Sequence, residues 1–180
     1  MNMHNVVLIG FMGTGKTSTG RMLATKLGAA FFDLDQRIEE KYAMSIPEMF
    51  QQYGEAYFRQ REREMVQEVA GRRNAVISTG GGTVIDPRNI ELLRQGGILI
   101  CLTADVEVIL ARTGNRGQRP VLDANDRGEE EGRREAIKKL LKERRKFYAV
   151  ADYTVDTTDK SPLLVVDDII RHLKARGRGR

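Results

Sequence analysis

Two kinds of segment alternate along this chain. Unbroken runs of β-branched and aliphatic residues occur at Val6–Ile9, Ala75–Ser78 and Ile98–Leu102. Their length and character predict strands buried on both faces. Ala30-Phe31-Phe32 and Tyr153-Thr154-Val155 predict two shorter strands. Between the strands the apolar period lengthens to that of a helix. Thr17–Leu27 puts Met22, Leu23 and Leu27 on one face, and Gly28 stops it. Gln36–Tyr42, Glu55–Ala70, Pro87–Leu93, Val106–Arg112, Ala136–Tyr148 and Leu163–Leu173 predict further helices. Another starts at Ser45, where Glu48 completes a capping box and Pro47 is tolerated in the first turn. Gly54 interrupts it.

Strands separated by helices imply βαβ units. The predicted fold is therefore α/β, a three-layer sandwich with a five-stranded parallel sheet. Ligands of such sheets bind beyond the C-terminal ends of the strands. The residues that follow each strand are the ones to inspect.

The first of these stretches decides the chemistry. Gly10-Phe-Met-Gly-Thr-Gly-Lys-Thr17 has the pattern G-x-x-x-x-G-K-[ST], between a predicted strand and a predicted helix. That is the phosphate-binding loop of nucleotide-using proteins. Gly13 and Gly15 permit the tight turn and let backbone N–H groups approach an anion. The helix N-terminus adds a favourable dipole. Lys16 would reach the β- and γ-phosphates, and the Thr17 hydroxyl would bind Mg²⁺.

Phosphoryl transfer also needs a carboxylate near the metal and a positioned acceptor. Neither strand ending at Ser78 nor strand ending at Leu102 finishes in an acid, and Asp105 reads as a helix cap. The acidic role moves to the second strand. Asp33 and Asp35, two apart on an extended segment, would point the same way. One can face the metal and the other an acceptor hydroxyl; the plain alternative is that Asp35 caps the helix at Gln36. Gly80-Gly81-Gly82 reads as a close approach to a polar ligand, or as a flexible turn. Arg59 and Arg63 share a helical face while Arg61 points elsewhere, and Glu62 and Glu64 offer surface partners for two of the three. Thr113 to Arg127 carries Arg116, Arg119 and Arg127 with no core pattern, as a mobile lid or a solvated loop would.

Composition narrows the setting. The 180 residues suit one domain, and the 41% hydrophobic content suffices for a core. No apolar run approaches ~18 residues and no secretory leader is read, so a cytoplasmic protein off the membrane is expected. The lone cysteine, Cys101, cannot form an internal disulfide and reads as a buried small hydrophobe. The net charge of +5 suits anionic ligands. Residues 174–180, rich in Gly and Arg, are expected to be a disordered basic tail after a single domain spanning 1–173. A guanine-reading Asn-Lys-x-Asp stretch is absent, and no nucleic-acid partner is expected.

These residues resemble shikimate kinase over Asn5 to Leu173. The resemblance rests on the phosphate loop, Asp33-Leu-Asp35, Phe58-Arg59, Val76-Ile-Ser-Thr-Gly-Gly-Gly82, Arg119-Pro120-Val121-Leu122 and Arg144 in Glu-Arg-Arg-Lys-Phe-Tyr148. The spacing from Arg59 through Glu62 and Val66 to Gly80-Gly81-Gly82-x-Val84 is its most specific part. The resemblance implies a phosphate-loop kinase fold with a lid near 113–128 and a substrate-binding region near 33–61. It implies ATP-dependent phosphorylation of the 3-hydroxyl of shikimate, with one Mg²⁺, by a monomer. ATP would contact Gly13, Thr14, Gly15, Lys16, Thr17, Ser18 and Arg119; Mg²⁺ would contact Thr17 and Asp33. Shikimate would contact Asp35, Arg59, Gly80, Gly81, Gly82 and Arg144, and the catalytic groups would be Asp35, Lys16 and Arg119. Where some members place an arginine against adenine, this chain offers Lys160.

Overall fold

The computed structural model describes residues 4–113 and 130–178. Among them, five parallel strands form one sheet in the order β2-β3-β1-β4-β5. The strands are β1 (Asn5–Gly10), β2 (Ala30–Asp33), β3 (Ala75–Ser78), β4 (Gly97–Thr103) and β5 (Tyr153–Asp156). The chain crosses outward from β1 to β2, returns to β3, then passes over β1 to β4. The central strand β1 is thus flanked by β3 and β4, with Val6 beside Val76 and Ile98. Its C-terminal end opens where the order reverses, the place such sheets hold their ligands.

Alternation along β1 makes the two faces. Val6 and Leu8 point to one face and pack with Leu23 and Ala24 of α1 (Lys16–Leu27) and Val165, Val166 and Ile169 of α7 (Pro162–Arg178). Val7 and Ile9 point to the other. There they join Met65, Val66 and Val69 of α3 (Ile46–Ala70), Leu93 of α4 (Pro87–Gly96), Ile109 of α5 (Val106–Thr113) and Ile137 of α6 (Glu130–Tyr148). Both faces are covered, which is why the strands read as unbroken apolar runs. Helix α1 sits close to β2: a methyl at Gly20 would lie 2.6 Å from the Phe31 ring.

The caps follow the sequence. Ser45 and Glu48 form the full capping box of α3, and Gly54 breaks the helix with φ 80° and ψ 173°. Asp86 caps α4 ahead of Pro87.

Four expectations change. The extended segment stops at Asp33, because α2 (Leu34–Tyr42) begins at Leu34 and Asp33, not Asp35, caps it by accepting from Gln36 N–H. Asp35 therefore projects from a first helical turn, not from a strand. Met22 is exposed, since the buried stripe of α1 runs through Thr19, Gly20, Leu23 and Ala24. Helix α6 starts at Glu130, six residues before the expected Ala136. Acids in its first turn suit the dipole, and Arg134 ties Glu130 and Glu131 to Glu107 of α5. Helix α7 runs on to Arg178, so most of the supposed tail is helical, with Arg176 3.8 Å from Asp152. The expected lid, Thr113 apart, lies outside the described residues, and Arg116, Arg119 and Arg127 lie there with it.

No helix among the described residues is long and apolar enough to cross a membrane.

Candidate active site

The phosphate loop holds its shape through its own backbone. Gly13 and Gly15 take φ of 78° and 91°, which side-chain-bearing residues rarely adopt. Thr14 Oγ1 donates to the Phe11 carbonyl at 2.8 Å. Lys16 Nζ donates to the carbonyls of Gly10 and Phe11, each at 2.8 Å. Gly15 is the N-cap of α1 and has no side chain to cap it. The first-turn N–H groups therefore face outward, as an anion site requires. Thr17 Oγ1 donates to Asp33 Oδ2 at 2.7 Å. A hydroxyl and a carboxylate side by side are hard oxygen donors, a pair that suits Mg²⁺ held partly by substrate phosphates.

A cleft of about 730 Å³ runs along this loop. Asp33, Asp35, Thr79 and Gly81 line it, as do Arg112, Thr157, Lys160 and Pro162. That volume is ordinary for a small-molecule site. Arg112 donates to the Thr157 hydroxyl and carbonyl, both at 3.2 Å, and to the Gly13 carbonyl at 3.4 Å.

Beside Asp35 and Gly81, side chains of separate elements meet at one glycine turn. Each glycine of 80–82 abuts a different group. A Cβ at Gly80 would lie 2.7 Å from Asp35 Oδ1 and 3.3 Å from Glu62 Oε1. One at Gly81 would lie 3.3 Å from the Met12 nitrogen and 3.5 Å from Arg144 Nη1. One at Gly82 would lie 2.6 Å from Arg59 Nη2. Close approach accounts for the triplet.

Electrostatics divide the charged groups. Burial, with Asp33 and Glu62 nearby, pushes the Asp35 carboxyl up to about 7 against the opposing pull of Lys16. Asp35 still keeps an edge open to the cleft. Glu62 is 1% exposed and bridges Arg59 Nη1 at 2.8 Å and the Thr83 hydroxyl at 2.7 Å. Arg144 is 6% exposed, its guanidinium 5.6 Å from the Phe11 ring centre. Among the described residues it has no carboxylate partner. A buried cation without one is costly, and an anionic ligand would relieve that cost.

A shikimate kinase family model matches residues 12–174 of the chain. The chain belongs to the shikimate kinase family. It is 47% identical over 172 residues to the shikimate kinase of Pelotomaculum thermopropionicum, covering 96% of each chain. It is 43% identical over 177 residues to that of Caldanaerobacter subterraneus subsp. tengcongensis, covering 98% of this chain and 100% of the relative. Among solved structures, the shikimate kinase of Acinetobacter baumannii in complex with shikimate superposes with a TM-score of 0.90 at 35% identity. That match covers 97% of this chain and 94% of the other.

Within this shikimate kinase family member, the fold gathers the predicted residues unevenly. Gly13 to Ser18, Asp33, Asp35 and Gly81 line one cleft. Arg59 and Arg144 approach the Gly80–Gly82 turn, of which Gly81 lines that cleft. The other two arginines of α3 turn away. Arg61 lies between the Tyr42 and Tyr57 rings and pairs with Glu64 at 2.8 Å, and Arg63 sits 3.6 Å from Asp86. Arg119 falls outside the described residues. Lys160 does line the cleft, with Nζ 2.9 Å from Asp168 Oδ2. Glu62, Arg112 and Tyr148 also stand beside the cleft or its glycine turn, and no local sequence pattern marks them. Glu62 stood inside the Arg59-x-x-Glu62 spacing, but a helix-surface acid beside arginines looks like ordinary pairing.

Proposed function

We propose that the chain transfers the γ-phosphoryl group of ATP to the 3-hydroxyl of shikimate, giving shikimate 3-phosphate and ADP in the route to chorismate and the aromatic amino acids. The observation that carries this reading is Arg144: a buried guanidinium lacking an acidic partner among the described residues, next to the glycine turn. Arg59, fixed by Glu62, supplies the second guanidinium. Two such groups suit a carboxylate, and the polar turn suits ring hydroxyls.

The reaction is an in-line displacement. The loop N–H groups and Lys16 hold the phosphates, Lys16 exchanging its carbonyl partners for phosphate oxygens. Thr17 and Asp33 would hold one Mg²⁺, which would neutralise phosphate charge. Ionised Asp35 accepts the proton of the 3-hydroxyl as its oxygen bonds to the γ-phosphorus. The bond to the β-bridging oxygen breaks, and ADP carries that charge away. Arg119 is assigned the developing charge on the phosphates. Arg112, Lys160 and Pro162 also line the cleft and are the groups offered to the base of the nucleotide. We read the protein as a cytoplasmic monomer acting on these two small molecules.

The test is ADP release from Mg-ATP with shikimate, quinate, gluconate or AMP as acceptor. Turnover is expected with shikimate alone. Turnover with another of the four, or with none, would overturn the assignment.

A further inference from the structure

Tyr148 sits one helical turn beyond Arg144 on α6, so the two side chains share a face. Its hydroxyl donates to the Gly81 carbonyl at 2.7 Å, across 67 positions of sequence. The residue is buried. Burial also pushes its hydroxyl up to about 12, so it remains a donor at any working pH. A buried tyrosine needs some partner for its hydroxyl. Here the partner is a backbone carbonyl in the one turn that contacts Asp35, Arg144 and Arg59 together.

The bonded carbonyl belongs to the peptide joining Gly81 to Gly82. Glycines on both sides leave that peptide freer to rotate than any other pairing would. A trans peptide places the N–H of Gly82 opposite the carbonyl of Gly81. Holding the carbonyl against α6 therefore fixes which way that N–H points. The same helix carries Arg144, whose guanidinium also interacts with the Tyr148 hydroxyl, and the same turn approaches the phosphate loop at Met12.

We propose that Tyr148 is a positioning residue for the phosphoryl acceptor, its hydroxyl locking the Gly81–Gly82 peptide to α6 so that turn and Arg144 meet the acceptor as one unit. This rests on the reading of Arg144 and the glycine turn as the acceptor pocket. Tyr148 acts through these groups and does not itself touch the reacting atoms. A wall residue of the core would affect both ligands alike. A positioning residue for the acceptor would not.

The test uses the full chain, with Tyr148→Phe keeping the ring and removing only the hydroxyl. The shikimate KM is expected to rise about tenfold, the scale of one lost hydrogen bond. The ADP Kd should stay near that of the unaltered protein, while the melting temperature falls modestly because the Gly81 carbonyl loses its partner. In a double variant with Arg144→Lys, the combined rise in KM should fall short of the product of the single rises, because both changes disable one unit. An unchanged shikimate KM would overturn the proposal. So would an ADP affinity that falls in step with it, or single effects that simply multiply. Absence of shikimate turnover in the unaltered protein would remove both the functional reading and this role. Normal turnover there with an unaffected variant would remove the role of Tyr148 alone.

Discussion

The two ends of the cleft are built on different plans. At the phosphate end, one continuous segment supplies nearly everything, and it works through backbone. Its N–H groups, its carbonyls and the φ values of Gly13 and Gly15 make the site, with Lys16 folded back onto the loop. At the end proposed for the acceptor, no segment suffices. Asp35 comes from α2, Arg59 and Glu62 from α3, Gly80–Gly82 from the turn after β3, and Arg144 from α6. A polyphosphate is recognised alike in many proteins, so a local loop is enough. A chiral ring acid must be met from several sides, and only tertiary structure brings those sides together.

The largest break in that contrast should come from Asp35→Asn. Loss of the base is expected to lower kcat by about 10²–10⁴-fold, while ADP binding by calorimetry stays intact. A parallel loss of ADP affinity would place Asp35 at the phosphate end instead. Next comes Arg144→Ala, expected to weaken shikimate binding by about 1–3 kcal/mol with the ATP KM near its starting value. An unchanged shikimate KM would remove Arg144 from the acceptor end.

The third prediction is a pH dependence. With Asp35 at about 7 in the ligand-free protein, kcat/KM for shikimate should fall as pH drops below 7, since the protonated carboxyl cannot take a proton. Stability runs the opposite way. A carboxyl whose folded value is raised stabilises the fold below its ordinary 3.8 and loses that contribution as pH rises through about 7. Ligand-free Asp35→Asn should therefore gain more melting temperature over the unaltered protein at pH 8 than at pH 5. An equal gain at both would show that Asp35 is not held neutral by its surroundings. The smallest effect is expected from Arg63→Ala, whose contact with Asp86 is a partly exposed pair at 3.6 Å. Both KM values should stay within about twofold, as the small worth of such pairs implies.

The same contrast explains what could be read from sequence. The phosphate loop and the strands on either side of it were legible because their signals are local: a fixed spacing, unbroken apolar runs, a glycine stop. The capping box at Ser45 and the break at Gly54 were legible for that reason too. The geometry of Asp35 is not legible in the sequence. Nothing in Asp33-Leu34-Asp35 says which acid caps the helix, and the choice of Asp33 moves Asp35 onto a helical turn. Arg59 could not be ranked above Arg61 and Arg63 by helical spacing. What separates them is Glu62, the rings of Tyr42 and Tyr57, and Asp86, all of which depend on packing. Tyr148 carried no local mark, because its partner lies 67 positions away.

The glycine turn carries a consequence for inheritance. No amino acid is smaller than glycine, so every missense change in codons 80 to 82 adds at least one carbon. At the first it meets Asp35, at the second the phosphate loop and Arg144, and at the third the guanidinium of Arg59. Three neighbouring codons thus touch different parts of one proposed site. The third base of a glycine codon is silent, but a missense change at either of the first two puts a side chain where this turn closes on its neighbours.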